Sequence, residues 1–155
     1  MCLAVYVAST SRVPEITNEE ISVGPLSGRA APVAQWFSLP EIRYVGAPGC
    51  GCRFPHVVAD QPVEWFDEFF DEWEDREPEL ASVRALFGLL EQLLALSTEV
   101  QVYPVWDGDE GKSPKGTIAL PFESLDPEKF FFNEQFFYRI TSQRHLAKAE
   151  LPRGA

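Results

Sequence analysis

Leu80-Ala81-Ser82-Val83-Arg84-Ala85-Leu86-Phe87-Gly88-Leu89-Leu90-Glu91-Gln92-Leu93-Leu94-Ala95-Leu96 is the stretch on which the fold turns. Leu80, Val83, Leu86/Phe87, Leu90 and Leu93/Leu94 recur at helical spacing. Pro78 suits the first turn of a helix, and Ser97-Thr98 ends the pattern. The spacing predicts the main helix over residues 79–96, with Leu86, Leu90 and Leu93 buried at the centre of the core. A helix with a wide apolar face needs a second layer to cover it.

The flanking sequence supplies that layer as strands. Val100 to Trp106 reads as a strand, and Pro104 places it at an edge or a bulge, because proline cannot donate to a ladder. Thr117 to Leu120 is a strand ended by Pro121. In Phe132 to Ile140, Phe132, Phe136, Tyr138 and Ile140 share one face, with Asn133, Gln135 and Arg139 opposite. That alternation marks a half-solvated antiparallel strand. Upstream, Cys2 to Ala8 is almost continuously apolar, as expected of a strand covered on both faces. Ile42 to Val45 is β-branched and aromatic and stops at Gly46. The expected strands therefore span residues 2–8, 42–46, 99–106, 117–120 and 134–140.

Between them, Thr17-Asn18-Glu19-Glu20 reads as a capping box for a short helical turn. Residues 24–32, rich in Gly, Pro, Ser and Ala, read as a surface loop. Pro32 opens one or two helical turns through Phe37. Asp126-Pro127-Glu128 reads as an N-cap followed by one turn. The whole is an α+β single domain over residues 1–142. It has a mostly antiparallel mixed sheet with one main helix packed on a face, and residues 143–155 form a polar C-terminal tail.

Composition bounds the function. The chain has 155 residues, 45% of them apolar and 13% aromatic, and a net charge of −11. That charge disfavours phosphate backbones and anionic membranes, so neither nucleic acid nor membrane is an expected partner. No apolar run is long enough to span a bilayer. Three cysteines give no even disulfide framework and fit a reducing compartment. Met1 to Ala8 lacks a positively charged n-region, so a cytoplasmic location is expected.

Chemistry, if present, concentrates in Tyr44-Val45-Gly46-Ala47-Pro48-Gly49-Cys50-Gly51-Cys52-Arg53-Phe54. The glycines permit a sharp turn that could bring both thiols to one point. Cys50, Cys52 and His56 are the catalytic candidates, as a thiol-redox pair or a Cys-His pair. With Cys2 as a fourth ligand they are also the candidates for zinc, although the second CxxC or HxxxH pair of a typical zinc site is missing. The preferred reading is a structural turn with small buried cysteines, and no cofactor is expected. His145, like His56, reads as a lone surface or core histidine.

Other motifs fail on spacing. Gly111-Lys112-Ser113 lacks the glycine of a phosphate loop, since Trp106 stands in its place. Asp107-Gly108-Asp109-Glu110-Gly111 lacks the twelfth-position glutamate of a calcium loop, where Ile118 stands, and reads as an exposed acidic turn. Met1-Cys2 alone is similar to N-terminal-nucleophile amidotransferases, but Leu3 replaces the glycine that follows in those enzymes.

Residues 60–79 hold ten carboxylates against the single arginine Arg76. Trp65, Phe66, Phe69, Phe70 and Trp73 recur on one face of a helix. Four like-charge i,i+4 pairs oppose that helix by roughly 1–2 kcal/mol in total. Burying one or two of the rings, at about 1.5–3 kcal/mol each, offsets this. The segment reads either as a solvated face over the core or as a surface for a partner protein over residues 62–77. Trp65, Phe69 and Trp73 are the contact candidates in the second case.

Several blocks resemble a family of small uncharacterised bacterial proteins. They are Met-Cys with Val5-Tyr6-Val7-Ala8-Ser9, Val13-Pro14, Arg43-Tyr44-Val45-Gly46 leading to Gly49-Cys50-Gly51-Cys52, Trp106-Asp107-Gly108-Asp109, and Phe131-Phe132. The family's Gly-Cys-Gly-Cys-Gly-Phe ending is broken here by Arg53. The resemblance implies a shared fold and a bacterial source, and it carries no known activity. The expected function is a non-enzymatic binding or regulatory module with an acidic aromatic surface. The alternative is a thiol-redox or zinc site at the Cys50/Cys52 loop.

Overall fold

The nearly unbroken apolar run at the start of the chain forms β1 (Leu3–Ser9), and it lies at the middle of a seven-stranded sheet. The computed structural model describes residues 3–47, 57–58, 77–130 and 132–143. The other strands are β2 (Ile16–Thr17), β3 (Ser22–Gly24), β4 (Glu41–Gly46), β5 (Val57–Val58), β6 (Glu99–Trp106), β7 (Gly116–Pro121), β8 (Phe132–Asn133) and β9 (Phe136–Thr141), with one main helix, α1 (Glu77–Leu96). The sheet order is β2-β3-β4-β1-β6-β9-β7. All neighbours are antiparallel except β7 and β9, which are parallel. β5 and β8 form a separate short parallel ladder. The fold is α+β in one domain, as the sequence predicts. No described helix is long and apolar enough to cross a membrane.

Val5 and Val7 of β1 and Val100 and Val102 of β6 face α1. Val5, Val7, Val100, Val102, Tyr138 and Ile140 pack there against Val83, Leu86, Phe87, Leu90 and Leu93. Leu90 is 0% exposed, so the helix sits at the core centre, as its periodicity indicates. Ser97 closes the last turn of the helix. The Ser97 N–H and hydroxyl both donate to the Leu93 carbonyl, at 2.9 and 2.7 Å. Ser9 and Ser97 share a 3.0 Å hydroxyl contact that ties this end to β1.

The crossover from β7 to β9 completes that layer. Phe122, Leu125, Phe130 and Phe132 join the cluster, with Phe132 edge-on to Tyr138 at 5.0 Å between ring centroids. Within the crossover, Asp126 accepts the Glu128 N–H at 3.0 Å and its carbonyl accepts the Phe130 N–H, giving the expected single turn.

Three local expectations are corrected. Thr17 to Glu20 does not form a helical turn. The Asn18 side-chain oxygen accepts the Glu20 and Ile21 N–H groups and closes the β2–β3 hairpin, which the sequence reading lacks. Nor is β6 an edge strand, for it lies between β1 and β9. Its ladder with β9 ends at Val102–Tyr138, before Pro104 would have to donate, and the Pro104 carbonyl accepts the Gln135 N–H at 2.8 Å. Residues 132–140 are two strands, split at Gln135, whose φ of 63° is left-handed. β4 ends at Gly46, as the sequence predicts, and a Cβ there would overlap the Tyr44 hydroxyl.

Candidate functional site

The sheet face opposite α1 carries a row of aromatic side chains. Register places Tyr44 beside Tyr6, and Tyr6 beside Tyr103, while Tyr103 meets Phe137 at 6.1 Å between centroids. Leu26, Ala30, Val33, Trp36 and Phe37 cover this row. They come from the Gly/Pro/Ala-rich loop and a 3-10 helix (Ala31–Trp36), so that loop is the second core layer. Gln101, buried in β6, fixes the loop's end. Its amide nitrogen donates to Ser38 Oγ at 2.7 Å, and its oxygen accepts the Ser38 N–H at 3.0 Å.

The acidic turn after β6 closes over the same face. Gly108 has φ 99°, a conformation that only glycine takes at little cost. That bend returns Glu110 to the sheet. Its Oε2 accepts the Gly108 N–H at 2.9 Å, and its Oε1 accepts the Tyr6 hydroxyl at 3.0 Å. The Glu110 carbonyl accepts the Trp36 indole N–H at 3.1 Å, and the Lys112 carbonyl accepts the Tyr103 hydroxyl at 2.8 Å. Glu110 is 3% exposed, which corrects the reading of an exposed acidic turn. A carboxylate can be buried where donors compensate its lost hydration, and Tyr6 and Gly108 do so here.

Burial, followed by the Glu110 charge, raises the Tyr6 phenol well above its ordinary range. Burial, with Glu134 and Asp109 nearby, pushes Tyr103 up to about 12. Both hydroxyls are therefore fixed as donors at neutral pH.

Beside these hydrogen bonds lies a pocket of about 290 Å³, lined in part by Tyr6, Ser27, Ala30, Tyr44, Asp107 and Glu110. Among the described residues, its charged lining groups are the two carboxylates. The arrangement offers acceptor oxygens next to aromatic surface, which suits a ligand that brings hydrogen-bond donors and positive charge.

Cys2, Cys50, Cys52, His56, Trp65, Phe69 and Trp73 all lie outside the described residues, as does His145. Among the described residues, no three His, Cys, Asp or Glu side chains converge in a way that could hold a metal ion. The pocket residues were not singled out by sequence reasoning. The available signal was a set of mid-strand tyrosines, which bring a polar tip into a core and need a partner there. Compared with protein-family models, curated proteins and solved structures, the chain matches none of them.

Proposed function

We propose that the protein is a non-enzymatic binding module whose site is the pocket between the 25–30 loop and the acidic turn. The pocket carries this reading: it is walled by tyrosines and two carboxylates, and a hydrogen bond fixes its Tyr6–Glu110 pair in place. Preorganisation of this kind reduces the cost of binding. Neither Tyr6 nor Tyr103 suits general-base work, because each phenol titrates far above neutrality. The acidic and aromatic groups on the sheet support this reading independently of residues 62–77. The test is a fragment screen read by amide chemical shifts. Hits should cluster at Tyr6, Ala30, Tyr44 and Gly108. Hits that leave those amides unmoved while binding elsewhere would rule the pocket out.

A further inference from the structure

The pocket does not end at Asp107 and Glu110. Both residues also line an adjoining open depression of about 510 Å³, together with Arg29 and Pro32. Among the described residues the inner part carries negative charge alone, and the outer part adds a cation. Arg29 is exposed and pairs with none of the described residues. Asp107, in the same lining, makes no ion pair among them either. Opposite charges therefore face one cleft without neutralising each other. In Glu110, each carboxylate oxygen accepts one protein donor and keeps a further lone pair for a ligand.

Resting on the binding-module reading, we infer that this two-part cleft takes a small zwitterion, a free amino acid or related amino-carboxylate. Its ammonium lies toward Asp107 and Glu110, and its carboxylate toward Arg29. A primary ammonium brings three donors and a positive charge, which match the acceptor-lined inner part. A guanidinium binds a carboxylate through paired N–H donors. A plain anion would meet the two carboxylates, and a plain amine would leave Arg29 unused.

The test uses the full chain at low salt, followed by amide chemical shifts. The probes are glycine, γ-aminobutyrate and ε-aminocaproate, which differ in the spacing of their charges, together with n-butylamine and butyrate. One zwitterion should saturate the shifts of Tyr6, Ala30 and Gly108. It should bind roughly tenfold more tightly than n-butylamine, the value of one charge-assisted contact. Butyrate should leave those amides unmoved. Arg29→Ala should abolish the preference over n-butylamine, and Asp107→Asn should weaken both amine probes about tenfold. Both substitutions are at exposed positions, so the fold should survive them. Equal affinity for n-butylamine and the best zwitterion, or a preference that survives Arg29→Ala, would overturn the inference and leave the binding module standing. The same holds if none of the five probes moves these amides while other fragments do. If no compound of any class moves them, both readings fall.

Discussion

Replacing Tyr6 by phenylalanine would remove the hydroxyl that donates to Glu110 Oε1 and leave a buried carboxylate with one donor fewer. Tyr6→Phe is expected to cost about 1.5–3 kcal/mol in urea denaturation, the range for a hydrogen bond to a charged partner. A loss below about 0.5 kcal/mol would mean that water replaces the hydroxyl freely. The same tyrosines set an alkaline limit. In the unfolded chain a phenol ionises near 10, whereas Tyr103 holds its proton to about 12 and Tyr6 beyond that. The folded state keeps protons that the unfolded state has lost, so stability is full below pH 10 and declines above it. The decline should approach about 1.4 kcal/mol per pH unit for each such tyrosine. The Tyr6 and Tyr103 ring signals should therefore change to those of tyrosinate only together with loss of the fold, and ionisation of either ring in the intact fold near pH 10 would contradict this. Gly46 shows what a single residue can hide. Its place at the end of a strand was legible, but not that its missing Cβ leaves room for the Tyr44 hydroxyl. Gly46→Ala should keep the fold and shift the Tyr44 ring signals, and unchanged signals would count against that packing.

Among elements, α1 rests on burial rather than on propensity alone. Leu90→Ala should cost about 2–5 kcal/mol, because the side chain is enclosed on every side. Leu96→Ala is the contrasting case. Leu96 is 72% exposed, and the substitution should stay within about 0.5 kcal/mol. Comparable losses at both positions in urea melts would refute the packing described. The helix and the long strands were legible because their periodicity runs over enough positions to be distinctive. β2 and β3 were not, since two- and three-residue strands hold too little pattern. The Thr17 to Glu20 stretch was misread for a physical reason. An N-cap and a hairpin turn both use a side-chain oxygen to accept N–H groups two or three residues on. Pro104 was misread because the rule concerns one missing donor, and a ladder that ends beside it removes the conflict inside a sheet.

At the scale of the molecule, the pocket is a product of topology. Tyr6 and Glu110 are 104 positions apart and meet because β1 and β6 are neighbours with Tyr6 opposite Tyr103. Alternation tells which residues share a face of one strand, but not which strands lie side by side. The site was therefore hidden even where each strand was legible. Strand order has a second consequence, for synthesis at the ribosome. The last strand described, β9, is inserted between β6 and β7 instead of being added at the rim. While the chain emerges, β6 can join β1 but keeps an open flank, and β7 has no seat until residues 136–141 leave the exit tunnel. An open flank of this kind invites pairing with other chains. Ribosome-stalled chains ending at residue 131 should be degraded quickly by added protease, and chains extended well past residue 141 should resist it. Protection already complete at residue 131 would show that β9 is dispensable. Emergence of residues 136–141 thus closes the interior, and until then the growing chain stays vulnerable.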